Sequence, residues 1–126
     1  MDALINFLVV FLGSGIGGAM RYGVGQLLPW QEGRMPLATL CVNLVGCFLI
    51  GFFSAMPMRF PGMSKHVSLL LTVGLCGGFT TFSTFSNETL IMLRSGQPLL
   101  AFAYIAANGV AGLLLVYLGI CASRLL

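Results

Sequence analysis

Four long apolar segments, joined by short connections that carry most of the few charges, constrain this chain more than any other feature. The segments cover about residues 4–28, 37–56, 67–93 and 99–123. A helix needs about 20 apolar residues to cross the hydrocarbon core of a bilayer. Open sheets cannot span lipid, and no alternating pattern typical of a membrane barrel is present. The sequence therefore predicts an all-α membrane protein, with a single four-helix transmembrane domain over residues 1–126.

The low charge excludes several other classes of protein. Only 7% of the residues are charged and 58% are hydrophobic, whereas soluble domains have about 25% and about 45–50%. Six basic and three acidic side chains cannot build a soluble surface or a nucleic-acid-binding face. With one histidine and no Cys-x-x-Cys pair, no cysteine–histidine metal cluster is expected. No set of residues typical of an enzyme active site is present, so we predict that the chain is not an enzyme.

A glycine-rich run in the first segment matches the dinucleotide fingerprint G-x-G-x-x-G in its letters only. Residues 13–18 have the sequence GSGIGG. A dinucleotide site needs these glycines directly after a strand, within a βαβ unit. Here they lie inside an apolar helix, which favours close helix packing or a local break of the helix.

The basic residues of the connections do not choose an orientation in the membrane. Four spans place both ends of the chain on one side. The basic residues of the two sides are Arg59, Lys65 and Arg124 against Arg34 and Arg94. Because basic residues favour the cytoplasmic side, a bias of three against two is nearly balanced. Two interpretations stay open, namely a weak preference for one orientation and insertion in both.

Two ionisable residues, Arg21 and Glu88, lie within the apolar segments. Such residues are costly in a membrane and are functional candidates by default. Arg21 either extends to the interface or attracts anions at a vestibule. Glu88 is either an interfacial or ion-paired carboxylate, or part of a functional site.

The centre of the third segment is unusually polar. Residues 74–88 (GLCGGFTTFSTFSNE) contain paired glycines and β-branched threonines, which weaken a helix. An interruption is tolerated in a membrane only where it is buried in protein or lines a cavity. We therefore predict a third helix that is broken in mid-membrane. Carbonyl oxygens released at such a break suit a hard cation such as Na⁺.

Phenylalanines recur every three residues in this stretch, at Phe79, Phe82 and Phe85. An aromatic stripe is usually core or lipid-facing. Mixed with hydroxyl residues such as Ser83, however, this stripe is also a candidate lining for a polar path. The edge of a phenyl ring carries partial positive charge and can face an anion.

Neutral polar side chains are also spaced at i, i+4 on two other segments. Thr39 and Asn43 share a face of the second segment, and Tyr104 and Asn108 share a face of the fourth. These pairs either bond helix to helix or line a path of hydroxyl and amide donors. A path of that kind, with few acceptor charges, suits a small dehydrated anion.

At these residues the sequence resembles the Fluc/CrcB family of fluoride channels. The resemblance covers essentially the whole chain, and its most specific part is the run GGFTTFSTFS at residues 77–86. It implies an antiparallel, dual-topology homodimer in the lipid bilayer, with two parallel fluoride pores that each use residues of both subunits. It also implies a structural Na⁺ at the dimer interface, held by backbone carbonyls of Gly77 and Thr80.

The resemblance further assigns roles by position. Phe82 and Phe85 are implied to be pore phenylalanines whose ring edges face fluoride, Asn43 the pore amide and Arg21 the cation of the vestibule. Other positions that resemble pore-associated ones are Thr39, Tyr104 and Glu88.

The fourth segment departs from the family pattern. Where relatives carry a ladder of hydroxyls, this chain has Asn108, then Gly112 and Val116. The donors missing from the inner part of the path are expected to come from water or from another helix.

Together these features predict a passive, fluoride-selective channel that exports fluoride across the inner membrane of a prokaryote. One alternative is a proton-coupled transporter of the small multidrug-resistance type, but such a transporter needs a carboxylate within the first span. That span has Arg21 and no carboxylate beyond Asp2. The other alternative is a membrane scaffold, which would not need a polar, broken third helix.

Overall fold

The computed structural model describes residues 1–126 as four long helices joined by short connections. The helices, named first to fourth below, cover Asp2–Leu27, Leu37–Arg59, Lys65–Arg94 and Pro98–Ser123. Each is long and apolar enough to cross a membrane. The predicted all-helical class with four spans is confirmed.

The third helix is interrupted near its centre. Its first half (residues 65–79) ends at Phe79, and its second half covers Ser83–Arg94. Between the halves, Thr80 is extended, with φ −91° and ψ 161°. The first half also contains a π-helical stretch, Leu70–Cys76. A second π-helical stretch, Ala107–Ala111, lies in the fourth helix, and such stretches often occur at functional sites.

Glycines bring the first helix against the first half of the third. A Cβ atom on Gly13 would lie 2.8 Å from the Cα of Gly74, and one on Gly17 would lie 2.7 Å from the backbone nitrogen of Phe79. Only glycine allows the two backbones to approach this closely. The run GSGIGG is therefore a helix-packing motif, as the absence of a preceding strand indicated.

Glycines also bring the second helix against the fourth. A Cβ on Gly51 would lie 3.1 Å from the Cα of Val116, and one on Gly112 would lie 3.2 Å from the Sγ of Cys47. The two positions at which the fourth helix lacks hydroxyls are thus in contact with the second helix. Gly112 contacts the Cys47 side chain, and Val116 contacts Gly51 through its backbone.

Most large apolar side chains lie on the outside of the chain. Only 17 of 126 residues are buried, and the exposed ones include Phe7, Phe11 and Leu113. In a bilayer this surface faces lipid tails, which are as apolar as the side chains themselves. A small core of Met92, Ala101 and Tyr104 ties the second half of the third helix to the fourth.

The glycine contacts predict a sharp difference between two neighbouring positions of the first helix. Gly17→Ala places a methyl group against the backbone of the third helix, whereas the same change at Gly15 meets nothing within 4 Å. We expect Gly17→Ala to destabilise the protein by about 1–3 kcal/mol or more, as overpacking does. Gly15→Ala should be neutral or slightly stabilising, because alanine favours a helix by up to about 1 kcal/mol over glycine.

Thermal unfolding of the two variants in the same detergent measures this difference. Equal unfolding midpoints for Gly17→Ala and Gly15→Ala would show that the first and third helices are not in backbone contact.

Candidate functional site

Two cavities lie on either side of the interruption in the third helix. The larger has a volume of about 490 Å³ and opens on one side to the outside of the chain. The smaller has a volume of about 270 Å³. Thr81, within the interruption, lines both cavities. Thr81 of the interruption is therefore common to the walls of both cavities.

The side chain of Asn43, on the second helix, bonds the backbone of the interrupted segment at Thr81. The Thr81 N–H donates to Asn43 Oδ1 (2.9 Å), and Asn43 Nδ2 donates to the Thr81 carbonyl oxygen (3.2 Å). Asn43 Nδ2 also donates to Asn108 Oδ1 of the fourth helix (2.9 Å). One side chain thus satisfies the N–H and the carbonyl of Thr81, which belong to two successive peptide groups outside a helix.

This arrangement releases two carbonyl groups. In an unbroken helix the N–H of residue i+4 would bond the carbonyl of residue i. The Thr81 N–H donates to Asn43 instead of Gly77, and the Thr84 N–H donates to Thr81 Oγ1 (3.2 Å) instead of Thr80. The carbonyls of Gly77 and Thr80 have therefore lost their helical donors, and both residues line the larger cavity.

Arg21 of the first helix bonds the third helix just before the interruption. Its Nε donates to the Gly78 carbonyl oxygen (3.1 Å), which would otherwise bond the N–H of Phe82. Arg21 also lines the smaller cavity, together with Thr39, Thr84 and Glu88. The only basic side chain of this cavity is thus held against the backbone by one of its nitrogens. A guanidinium has five N–H donors, of which the bond to Gly78 uses one.

Three aromatic rings lie in series between the third and fourth helices. The ring centres of Phe82 and Phe85 are 5.9 Å apart, and those of Phe85 and Tyr104 are 5.2 Å apart. Phe82 is 78% exposed, whereas Tyr104 is fully buried. The rings of Phe82 and Phe85 are tilted by 48° to each other, and both residues line the larger cavity. Tyr104 fixes the inner end of this series.

Tyr104 also connects the rings to the carboxylate of the smaller cavity. Its hydroxyl donates to Glu88 Oε1 (2.9 Å). The hydroxyl hydrogen of Tyr104 is therefore used within the chain. Thr39 is buried on the second helix and lines the same small cavity as Glu88.

The structure brings most of the predicted site residues to one of the two cavities. The larger cavity has Asn43, Gly77, Thr80, Phe82 and Phe85 in its wall. The smaller has Arg21, Thr39 and Glu88 in its wall. Ser83 is exposed and lines neither cavity, and Tyr104 contacts both sets from its buried position.

Sequence reasoning missed the part played by Thr81. Its backbone bonds Asn43, its hydroxyl oxygen accepts from Thr84, and it lines both cavities. Two threonines next to paired glycines indicated a weak helix, but nothing in the sequence distinguished Thr81 from Thr80. Asn108 was singled out by its spacing from Tyr104, and its bond to Asn43 shows an interhelical role.

Comparison with known proteins confirms the resemblance drawn from the sequence. Residues 8–120 match the family described as "CrcB-like protein, Camphor Resistance (CrcB)". A protein of Phocaeicola vulgatus named fluoride-specific ion channel FluC is 44% identical over 121 residues, covering 94% of this chain and 98% of the relative. A protein of the same name from Chlorobium phaeobacteroides is 42% identical over 119 residues, covering 94% and 92%. One from Oceanobacillus iheyensis is 40% identical over 115 residues, covering 91% and 88%.

Proposed function

Since the chain belongs to the CrcB family, we propose that it is a passive, fluoride-selective ion channel. The curated relatives named above are ion channels and not enzymes. Family membership also decides against the small multidrug-resistance alternative and against a scaffold. The proposal concerns where fluoride passes, what completes the pore and what holds the interruption.

One observation carries the choice of path. The wall of the larger cavity combines two phenyl rings with amide and hydroxyl groups and contains no charged side chain. Fluoride holds its water tightly, so a channel must replace that water with donors without binding the ion too strongly to release it. Partially positive ring edges and neutral donors in series meet both needs. Phe82 and Phe85 are the residues assigned to face the ion.

The smaller cavity is assigned to the entrance of the path. Arg21 supplies positive charge there, which attracts an anion. Glu88 opposes it, but its Oε1 accepts the Tyr104 hydroxyl, which spreads its negative charge. The expected direction is export across the inner membrane of a prokaryote. Hydrogen fluoride enters as a neutral acid and ionises inside, and the anion then leaves down its gradient.

A second copy of the chain is proposed to close the larger cavity. The cavity opens to the outside of the chain, and the exposed residues beside it are Phe82, Ser83, Ser86 and Asn87. Lipid cannot satisfy hydroxyl and amide groups, so this polar face needs a protein partner. The nearly balanced basic residues of the connections support an antiparallel homodimer. A two-fold arrangement would place two equivalent pores in the dimer.

The released carbonyls support the structural Na⁺. Gly77 and Thr80 line the open cavity with carbonyl oxygens that have lost their helical donors. Hard cations bind oxygen ligands of this kind. No three His, Cys, Asp or Glu side chains come together in the chain, so side chains offer no competing cluster. Backbone carbonyls of Gly77 and Thr80 would hold the Na⁺, whose positive charge would offset the partial negative charge of their oxygens.

The phenylalanines give the most direct test of the path. If their ring edges replace fluoride's water, Phe82→Ile or Phe85→Ile removes the positive rim and keeps much of the apolar bulk. We expect fluoride efflux from liposomes to fall at least about tenfold, equivalent to about 1.4 kcal/mol on the barrier. The wild type should release fluoride and retain chloride.

Phe102→Ile is the control for this test. Phe102 lies on the fourth helix and is 63% exposed, outside the wall of either cavity, so its replacement should change flux little. Wild-type flux in both Phe82→Ile and Phe85→Ile, at equal dimer content by size-exclusion chromatography, would assign the rings to packing alone.

The antiparallel dimer predicts that a forced orientation is inactive. Two or three lysines added after Leu126 should hold that end of the chain on the cytoplasmic side. Expressed alone, this variant should lose fluoride efflux, and co-expression with an oppositely biased copy should restore it. Full efflux from a single, uniformly oriented population would rule out antiparallel pairing.

The buried Na⁺ predicts slow inactivation when the ion is withdrawn. Prolonged exchange into a large organic cation should abolish fluoride efflux, since the Gly77 and Thr80 carbonyls would lose the cation that they are proposed to hold. Gly77→Val alters the backbone, whereas Thr80→Ser keeps a hydroxyl. Gly77→Val should therefore weaken the protection of fluoride efflux by Na⁺ more than Thr80→Ser does. Undiminished efflux and unfolding midpoint after complete exchange would exclude the ion.

A further inference from the structure

We propose that the connection between the first and second helices binds the headgroup of an anionic phospholipid, and that Arg34 holds its phosphate. The site is a third cavity, with a volume of about 230 Å³. It has no residue in common with the larger cavity and only Leu28 in common with the smaller one. The lipid site is therefore separate from the proposed fluoride path.

The cavity lies where two membrane spans end. The first helix ends at Leu27 and the second begins at Leu37, and both residues are in the cavity wall. Trp30 lies in the connection between them, and tryptophan is enriched at the boundary between membrane and water. A ligand in this cavity would meet lipid tails on one side and water on the other.

Hydrogen bonds of the connection fix the backbone of Arg34. Its N–H donates to the Gln31 carbonyl oxygen (3.1 Å), which closes a four-residue turn. Gly33 of this turn has φ 88°, a conformation that favours glycine. The indole nitrogen of Trp30 donates to the Arg34 carbonyl oxygen (2.7 Å). Both backbone polar groups of Arg34 are thus bonded, so the turn sets where its side chain begins.

The guanidinium of Arg34 supplies an unbalanced positive charge. The hydrogen bonds that Arg34 makes within the chain use its backbone only, and it is the one charged side chain of the cavity wall. Glu32, the acidic residue of the connection, is exposed and does not line the cavity. A guanidinium bonds two oxygens of a phosphate at once. The side-chain amide of Gln31, in the same wall, offers further N–H donors.

The apolar part of the wall indicates a lipid instead of a free phosphate. It consists of Leu27, Leu28, Pro29, Met35 and Leu37. Leu27 is 81% exposed and Leu37 is 53% exposed, so the cavity continues into surface that faces acyl chains. Sites that enclose a whole small ligand have volumes of about 300–1,000 Å³. The smaller volume here suits a headgroup whose tails stay in the bilayer.

The charge of the site selects among phospholipids. A zwitterionic headgroup brings its own cation, which competes with Arg34 for the phosphate. A headgroup without a cation, such as that of phosphatidylglycerol, leaves the phosphate to Arg34. Basic side chains near a membrane surface favour anionic lipids for the same reason.

Trp30 provides a reporter inside the chain, because it is the only tryptophan. Bromine atoms on an acyl chain quench indole fluorescence on contact. We reconstitute the purified protein in mixtures of brominated phosphatidylglycerol with ordinary phosphatidylcholine, and of brominated phosphatidylcholine with ordinary phosphatidylglycerol. The two quenching curves give the relative binding constant of the two lipids beside Trp30.

We expect the wild type to prefer phosphatidylglycerol about fivefold, the size of effect that one basic side chain gives at an anionic surface. Arg34→Gln should bring the preference to about one. Gly33→Val, which keeps the charge and strains the turn, should also lower it. Arg124→Gln is the matched control, since Arg124 is exposed after the end of the fourth helix, one span away, and should keep the wild-type preference.

Four results would overturn the lipid site. A wild type without preference would show that the charge selects no lipid. Equal preferences in Arg34→Gln and Arg124→Gln would indicate attraction by the charge of the whole protein. A wild-type preference in Gly33→Val would show that the turn does not build the site. Absence of quenching by both brominated lipids would mean that protein, and not lipid, covers the connection.

Discussion

The two hydrogen bonds between the Asn43 side chain and the backbone of Thr81 are the interaction on which the site depends. The N–H and the carbonyl of a residue outside a helix are polar groups that lipid cannot satisfy, and leaving them without partners costs several kcal/mol. Asn43 bonds both from a neighbouring helix. Because the Thr81 N–H is taken, the Gly77 carbonyl is released. The bond of the Thr84 N–H to Thr81 Oγ1 releases the Thr80 carbonyl in the same way, and these two carbonyls form the proposed cation site.

Close packing of glycines sets the second constraint. The first helix reaches the backbone of the third through Gly13 and Gly17, and the fourth reaches the second through Gly112. Such contacts hold the helices near the interruption at fixed distances. They also place Gly112 and the backbone of Val116 against the second helix. Asn108, whose side chain has an amide donor, lies about one helical turn before Gly112.

Much of the fold was accessible from the sequence because membrane helices obey a simple rule of length and polarity. The four apolar segments match the observed helices to within three residues at each end, and residue 28 of the first segment lies just beyond its helix. The GSGIGG run was correctly assigned to a helix because no strand precedes it. Paired glycines and threonines indicated where the third helix would be weak, and Thr80 is extended. The residues that gather at the cavities were mostly those that are unusual in a membrane, such as Arg21 and Asn43.

By itself, then, the sequence determined the helical class, the number of spans and the family of the chain, since these depend on local polarity and on a long specific run at residues 77–86. Only the tertiary structure decided which polar group bonds which. Each amide has two hydrogens and one oxygen, and its free capacity depends on partners far away in the chain, as with Asn43 and Thr81. The partners that each amide finds in the folded chain therefore decide how many of its hydrogens are used.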